Sequence, residues 1–426
     1  MSTASSLHPA ALLALALAVL NAMPAAARAA QDPVVETSGR VKAFASRSFL
    51  PDDDLLRFLD GTPRDQASLD LRLAARVARG AVEGEIAWEL LGRHDSAGVA
   101  GGGLTGTGLA GGADGRLMDL TGRLVSTAHG SVEHRLDRLW GAVRLGEWRL
   151  AAGRQAASFG NGLVFQPMDL FNPFSPTEID RDFKRGEDML QLGRPFDDGS
   201  EIGLLLVGRR GAGDGLDGSE GSAALRHRRF VGALSMELIA GEHLGDPLLA
   251  AGFSGPLGTA VWRLDLVTQR EGGEVRVSGV ANLDWSLVVA ARNVYLFAEF
   301  YRNGFGLADP TLAGLAQTPG LRRRVQRGEV FTLGRHYVAA GGAVEWHPLL
   351  NQQLLLIREL QDGSHLLQTT LAWNPTDSQT WQFSLVAPLG GRGEEFGRLE
   401  AGQAGDGTTL TLGGGERVLV RWSLYF

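Results

Sequence analysis

ERVLVRWSLYF, residues 416–426, ends the given sequence with side chains that alternate in character. Arg417, Arg421 and Ser423 occupy odd positions, whereas the even positions from 418 onwards are apolar or aromatic: Val418, Val420, Trp422, Leu424 and Phe426. Because successive side chains of a β-strand point to opposite faces, this period of two predicts a strand with one apolar face. The aromatic residues lie near the end of the stretch, as they do where a transmembrane barrel meets the edge of the lipid. An ordinary antiparallel sheet is the alternative that the same pattern allows.

The alternation recurs along the chain. Residues 69–77 and 82–90 place charged side chains between apolar ones, and residues 261–268 repeat the pattern. A series of strands with charges on one face and apolar residues on the other suits a wall with lipid outside and water inside. The sequence therefore favours a transmembrane barrel over a sandwich with a dry core.

The connections between these segments alternate between short and long, as in bacterial outer-membrane barrels. Counting on this rule gives about eighteen strands, or sixteen if the weakly bounded segments 223–229 and 247–253 are dropped as a pair. We predict an all-β fold: a transmembrane, antiparallel, up-and-down β-barrel of 16–18 strands. An even number of strands in this range leaves an aqueous channel.

The N-terminus resembles an export signal. Residues 10–20 form an apolar run, and residues 25–30 supply the small-residue spacing of a cleavage site. We predict a signal peptide over residues 1–30 and a mature barrel over residues 31–426; an uncleaved anchor is the alternative, although the run is shorter than the ~20 residues that span a bilayer. The chain has 426 residues, no cysteine and a formal charge of -7, so thiolate chemistry is excluded and no nucleic-acid partner is expected.

Residues 153–188 interrupt the strand pattern. They carry Pro167, Pro173 and Pro176, and proline cannot donate to a sheet ladder. Long loops inside a compact fold are usually functional. We predict that residues 158–186 form a loop folded into the barrel, with phenylalanines against the inner wall and a charged portion facing the pore. A structural plug or an external cap is the alternative.

Together these features resemble a porin-like outer-membrane channel of Gram-negative bacteria, in an uncharacterised porin-like family. The resemblance rests on the alternating strands, on Gly153-Arg154-Gln155, on Phe159-Gly160-Asn161-Gly162 and on the terminal Phe426. It implies a pore constriction in which acids on the loop face bases on the opposite wall. The candidate constriction residues are Arg154, Asp169, Glu178, Asp180, Arg181, Asp182, Lys184 and Arg185.

The resemblance also implies an assembly signal. Trp422, Leu424 and Phe426 match the C-terminal insertion signal of such barrels, which implies the barrel assembly machinery as a partner. A basic cluster of Arg322, Arg323 and Arg324 is a candidate for the pore mouth or for contact with lipopolysaccharide, and a solvated loop is an equal alternative. Six arginines, Arg154 among them, sit at strand positions that can face the lumen: Arg40, Arg72, Arg76, Arg144, Arg154 and Arg263.

Three function classes remain. The leading hypothesis is passive diffusion of small hydrophilic solutes or ions through the bacterial outer membrane. The runner-up is a plugged barrel that binds surface polysaccharide or takes up an apolar compound. An outer-membrane hydrolase is disfavoured because the histidines are scattered and no phospholipase-like motif occurs. We therefore expect no enzyme activity, no cofactor and no metal. The carboxylates of Asp52 to Asp54 suit calcium, but such a run is more typical of a solvated loop.

Overall fold

The computed structural model describes residues 33–60, 63–98, 115–171, 173–177, 183–210 and 220–426. The predicted signal peptide lies outside this part of the chain. The strands are β1 Val34–Phe49, β2 Arg64–Arg79, β3 Val82–Asp95, β4 Thr121–Ser126, β5 Gly130–Leu145, β6 Trp148–Gln155, β7 Glu187–Pro195, β8 Glu201–Val207, β9 Ser222–Val231, β10 Leu234–His243, β11 Asp246–Leu257, β12 Ala260–Glu271, β13 Glu274–Val289, β14 Arg292–Arg302, β15 His336–His347, β16 Leu350–Glu359, β17 His365–Thr376, β18 Gln379–Leu389, β19 Leu399–Gln403, β20 Thr409–Leu412 and β21 Glu416–Tyr425. The helices are α1 Leu55–Asp60, α2 Leu312–Gln317 and α3 Pro319–Arg327.

Eighteen of these strands form a closed antiparallel barrel. Each pairs with its neighbours in chain order, except that β4 pairs only with β5 and that β19 and β20 form a separate hairpin. Pairing of β1 with β21 closes the ring. The terminal Phe426 extends this pairing, because its N–H donates to the Gly39 carbonyl at 2.9 Å and its carbonyl accepts from the Gly39 N–H at 2.6 Å. The predicted fold class is confirmed, with a strand count of eighteen.

The two faces of the barrel wall differ as the alternation predicts. On β21 the Val420 side chain is 40% exposed, whereas the neighbouring Arg421 is 7% exposed and points inward. Outward apolar residues continue around the wall, for example Leu73, Leu204 and Leu266. Large aromatic side chains are exposed near the end at which the chain termini lie: Trp148, Phe196, Phe230, Trp346, Trp373 and Phe426. This arrangement matches an apolar belt bordered by an aromatic girdle.

The two ends of the barrel differ in their connections. At the end with the termini, the strands are joined by tight turns such as 80–81, 146–147 and 290–291. At the other end most connections are long, but residues 244–245 and 272–273 are two-residue turns. The segments that looked weakest in the sequence are regular strands, β9 and β11. In the part of the chain that the structure describes, helices are too short and too polar to cross a membrane.

The residues between β6 and β7 fold into the barrel. We call residues 156–186 the lumen loop; its residues 172 and 178–182 lie outside the described ranges. Met168, Leu170 and Phe171 of this loop are buried against inward-facing apolar side chains of β7–β12. These wall residues are Met189, Leu205, Val207, Ala224, Ile239, Leu248, Ala250 and Val267. The loop therefore covers much of the apolar inner wall on this side.

Candidate functional site

Three carboxylates of the inner wall hold the first half of the lumen loop. Glu237, Asp265 and Glu299 lie on β10, β12 and β14, and we call them the acidic latch. Glu237 Oε2 accepts the Gly160 N–H at 3.0 Å, and Asp265 Oδ2 accepts the Asn161 N–H at 2.6 Å. Charge-assisted bonds of this kind are roughly twice as strong as neutral ones. The latch therefore fixes the path of the loop through its main chain.

Glu299 is the most heavily bonded member of the latch. Its Oε1 accepts the N–H groups of Val164 at 3.1 Å and Phe165 at 2.8 Å, and its Oε2 accepts that of Leu163 at 2.7 Å. Asn282 of β13 adds an amide donor at 3.1 Å. The Glu299 residue is only 2% exposed. Burying a carboxylate is costly unless it is well hydrogen-bonded, and these four donors supply that compensation.

Two glycines allow the loop backbone to reach the latch. Gly160 has φ of +84°, a left-handed conformation that side chains rarely adopt, and a Cβ there would come within 2.6 Å of Asp265 Oδ2. A Cβ on Gly162 would lie 1.8 Å from the Phe165 carbonyl oxygen. The glycines of the sequence motif are thus required by close approach of the backbone.

Aromatic stacking holds the next part of the loop. The Phe165 ring stacks on Tyr301 of β14, with centroids 4.4 Å apart and planes 10° apart. It also lies 5.5 Å from the ring of Tyr337 on β15. Offset and tilted pairs of this kind are favourable beyond the area that they bury. The apolar half of the loop is therefore anchored to the inner wall, as predicted for its phenylalanines.

The second half of the loop reaches the opposite side of the lumen. Lys184 forms an ion pair with the buried Asp169, and burial lowers the pKa of Lys184 to about 8, which leaves it protonated at neutral pH. The Lys184 carbonyl accepts Arg138 Nη2 of β5 at 2.5 Å. The Phe183 ring, 48% exposed, lies 4.3 Å from the guanidinium of Arg72 on β2. The loop thus crosses the barrel and narrows it.

The wall that Phe183 faces is rich in charge. We call the inner face of β1, β2, β3 and β5 the charged wall. Arg40, Arg72, Glu89 and Arg135 are paired across these four strands in one row. Arg72 Nη1 lies 2.8 Å from Glu89 Oε1, and Arg135 Nη2 lies 2.5 Å from Glu89 Oε2. Both signs of charge therefore line the side of the lumen opposite the apolar half of the loop.

A cavity of about 580 Å³ lies under the loop, towards the end with the tight turns. Phe159 and Phe171 of the loop border it, together with Arg149 of β6 and Arg226 of β9. The Arg226 guanidinium lies 5.4 Å from the Phe159 ring centroid. This space is a vestibule with apolar and charged sides.

The predicted constriction residues fall into three groups. Asp169 and Lys184 lie in the loop and pair with each other, and Arg185 is half-buried beside them. Residues Glu178, Asp180, Arg181 and Asp182 lie outside the described residues. Arg154 lies in the wall rather than in the lumen, because Gly153 and Gln155 take the inward positions of β6.

Arg154 stabilises the base of the loop. Its Nε donates to Asp188 Oδ1 at 2.8 Å and its Nη2 to Asp188 Oδ2 at 2.9 Å, directly across β6 and β7. The same Nη2 donates to the Met118 carbonyl at 2.5 Å. The residue is 2% exposed. This bidentate ion pair holds the two ends of the loop together. Arg154 therefore has a structural role.

The three arginines predicted for the pore mouth lie on α3 and differ in environment. Arg324 is buried, with Nη1 3.0 Å from Glu329 Oε2 and its guanidinium 3.8 Å from the Phe305 ring centroid. Arg323 is exposed and lies 3.4 Å from Glu271 of β12. Arg322 donates to the Ala316 carbonyl at 3.3 Å. Helix α3 therefore lies over the two-residue turns 244–245 and 272–273, and Arg324 holds it there through the carboxylates of Asp246 and Glu271.

Four connections pack together above the lumen: residues 50–60, 303–335, 360–364 and 390–415, which we call the loop cap. Glu395 is central to it, because its Oε1 accepts the Leu333 N–H at 2.7 Å and its Oε2 accepts the Gly334 N–H at 2.9 Å and the Tyr337 hydroxyl at 2.5 Å. Burial raises the pKa of Glu395 to about 7. Asp53 pairs with Arg392, which ties the first connection to the last.

Sequence reasoning missed the latch and the Glu395 contact. Glu299 is the only acid in the aromatic segment YLFAEFY, residues 295–301. Because it is two residues from Tyr301, both side chains lie on the same face of the strand. A lone carboxylate among aromatic residues is a usable signal for a buried, hydrogen-bonded acid. Nothing in the local sequence marks the loop backbone as its partner.

No family model matches the chain, and no curated protein matches it. Its structural neighbours include Gram-negative outer-membrane porins of the Occ group, and Wzi. OccAB1 of Acinetobacter baumannii is similar with a TM-score of 0.53 and 8% identity, over 92% of this chain and 96% of that one. OccK2 (OpdF) of Pseudomonas aeruginosa, solved in complex with glucuronate, has a TM-score of 0.50 and 10% identity, over 92% and 98%.

Wzi of Escherichia coli is similar with a TM-score of 0.51 and 9% identity, over 91% of this chain and 84% of that one. It is described as an outer-membrane protein involved in Group 1 capsule assembly and as a carbohydrate-binding β-barrel. At these identities the likeness concerns the fold. The fold of this chain is that of a porin-like outer-membrane barrel.

Proposed function

We propose that the protein is a porin-like channel of the bacterial outer membrane that lets small hydrophilic solutes or ions diffuse passively. The observation that carries this proposal is the asymmetry of the lumen. The lumen loop covers the apolar inner wall and leaves the charged wall facing it across Phe183. A solute would therefore pass along a surface of fixed charges rather than along an apolar one.

The mechanism needs positioning and electrostatics only. The opening that the lumen loop leaves beside the charged wall limits solute size, and the charges on that wall set preference among ions, because fields in a narrow pore are poorly screened. Ion pairing of Arg72 and Arg135 with Glu89 holds the guanidinium groups at fixed positions. We include no catalytic step in this proposal.

The experiment that tests the proposal is single-channel recording of the refolded mature protein in a planar bilayer, with a reversal potential under a KCl gradient. We expect stable open steps. The double variant Asp265→Asn/Glu299→Gln should keep the barrel but weaken the latch, because an amide places a donor where the loop N–H groups need an acceptor; each lost charged bond is worth about 1.5–3 kcal/mol. We expect larger and noisier steps.

Glu345→Gln on β15 is the matched control, because this acid bonds Asn293 at 2.8 Å and does not touch the loop. Deletion of residues 167–176 should likewise raise conductance if the barrel still folds. A shift in gel migration between unheated and heated samples establishes folding for each variant. Unchanged conductance in the folded latch variant would refute a loop-limited pore.

A plugged barrel with a binding role is the second candidate. The loop cap favours it, because Glu395 and Asp53 tie the connections together above the lumen. The likeness to the carbohydrate-binding Wzi is compatible with it. A folded protein without channel steps, which retains a polysaccharide on a column, would support this candidate over the channel.

The remaining expectations belong to the same proposal. Export through a signal peptide at residues 1–30 and a Gram-negative host fit the fold. Insertion by the barrel assembly machinery would use the last strand, where Trp422 and Trp381 are partners across β21 and β18. Lipopolysaccharide would surround the end of the barrel with the long connections.

A further inference from the structure

We propose that the outer rim of strands β14–β17 binds the phosphorylated headgroup of a lipid. Four side chains form the site: Arg302, His336, Arg358 and His365, which we call the rim cluster. Each lies at the end of its strand nearest to the long connections. The proposal concerns the outside of the barrel and is independent of conduction through its lumen.

The register of the sheet brings these residues together. Arg302 of β14 is directly opposite His336 of β15, and Arg358 of β16 is directly opposite His365 of β17. Val338, two residues after His336, is opposite Arg358 and links the two pairs. With strands about 4.8 Å apart, the cluster spans roughly 15 Å, the scale of a large lipid headgroup.

All four residues belong to the lipid-facing side of the wall. Tyr301, Tyr337, Ile357 and Leu366 are their immediate neighbours along the chain, and these pack inward in one buried cluster. Alternation therefore directs the rim cluster outward. The stacking of His336 on the exposed Phe300, with centroids 6.2 Å apart, agrees with this placement.

Positive charge in the rim cluster is not neutralised locally. The two acids nearest to it along these strands, Glu299 and Glu359, are both buried on the inward side. Arg302 donates to the Val277 carbonyl at 3.3 Å and lies 2.9 Å from His336 Nε2. Among the residues that the structure describes, no carboxylate forms an ion pair with Arg302 or Arg358. An anion from outside the chain is the natural complement.

The surroundings select a lipid over a free anion. Phe300, Val338 and Leu356 are exposed on the same face, one step further from the rim. A molecule with a phosphate at the level of the arginines and acyl chains over these residues would satisfy both parts of the surface. Guanidinium groups bind phosphate in bidentate fashion, and basic sites at a membrane interface recognise anionic headgroups.

The test uses the refolded mature protein in detergent and bisphosphorylated lipid A as the probe, with native mass spectrometry as the readout. We expect one tightly retained lipid A, lost progressively as salt rises. Arg302→Gln/Arg358→Gln should weaken retention at least tenfold. Arg302→Lys/Arg358→Lys should lose less, because charge remains while the planar fork is absent.

The matched control is Arg229→Gln/Arg292→Gln, which removes two exposed arginines at the opposite rim, and it should retain lipid A like the unchanged protein. A shift in gel migration between unheated and heated samples shows that each variant is folded. Equal retention by the folded Arg302→Gln/Arg358→Gln variant would overturn the proposal. So would equal retention of a lipid without phosphate, or displacement by millimolar inorganic phosphate, which would indicate an anion site without lipid selectivity.

Discussion

At the scale of single residues, one tight turn departs from the usual chemistry. Ala290 and Ala291 join β13 to β14 with φ of 50° and 60°. Two successive left-handed residues define the hairpin turn in which Asn-Gly is preferred. Left-handed backbone costs a residue with a Cβ about 1–2 kcal/mol. The turn is therefore strained at a place where the sequence offers no glycine.

Replacing Ala291 by glycine should stabilise the barrel by about 1 kcal/mol, since glycine adopts positive φ without a steric penalty, partly offset by its greater freedom in the unfolded chain. The measurement is the midpoint of reversible urea unfolding in lipid vesicles. Ala298→Gly on the outward face of β14 is the control and should lower the midpoint. A lower midpoint for Ala291→Gly as well would contradict the assignment of strain.

The sequence pattern identified the loop residues that contact the acidic latch, but it did not identify the wall carboxylates that bind them. The Phe159-Gly160-Asn161-Gly162 motif stood out because it broke the strand alternation. Asp265, the partner of Asn161, is 104 residues away along the chain, and Glu299, which binds the N–H groups directly after the motif, is more than 130 residues away. Acceptance of a backbone N–H by a distant carboxylate leaves no trace in local composition, so the latch could not be predicted.

At the scale of elements, β21 tests the assignment of faces. Val420→Arg should impair assembly, because an arginine facing lipid costs about 2–4 kcal/mol near the middle of the bilayer. Arg421→Val changes an inward position and should assemble with much smaller loss. The fraction folded in vesicles, read from gel migration without heating, measures both. Equal tolerance of the two variants would contradict the assigned faces.

Strands were predictable because period two reports which face meets lipid. The strands β9 and β11 were harder, since the turn after β10 uses Leu244-Gly245, with φ of 54° and 80°, rather than a typical turn dipeptide. Helices α2 and α3 were not predicted at all. Both are short and depend on tertiary packing: α3 buries Leu321 and Val325 against neighbouring loops, and α2 places Leu312 and Leu315 against the same cluster.

At the scale of the whole molecule, the stability of the loop cap, which joins distant parts of the chain, should depend on pH. Glu395 has a pKa raised by burial from 4.5 to about 7. A raised folded-state pKa means that its contribution to stability is present in full below 4.5 and is lost as pH rises through 7. Glu359, Asp362 and Tyr337 are the ionisable groups around it. The cap should therefore be tighter at pH 5 than at pH 8.

Hydrogen exchange of residues 390–398, corrected for the intrinsic dependence on pH, measures this effect. We expect protection to fall by up to tenfold per pH unit, or about 1.4 kcal/mol, between the unfolded-state pKa of 4.5 and the folded-state pKa of about 7. Above that range protection should level off. Glu395→Gln should remove the slope, whereas Glu394→Gln next to it should keep it. Persistence of the slope in Glu395→Gln would assign the titration to another group.

The acidic latch has a consequence for how the protein can change. Glu237, Asp265 and Glu299 grip the lumen loop by its peptide N–H groups, which every residue except proline possesses. Residue identity matters at Gly160 and Gly162, at Asn161, whose side-chain amide also donates to Asp265 Oδ1 at 2.8 Å, and at Phe165, which stacks on Tyr301. At the other positions the bond to the latch does not depend on the side chain. Natural or laboratory selection can therefore substitute the side chains that the loop presents to the pore at those other positions. The path of the loop backbone should stay the same, because the wall carboxylates determine it.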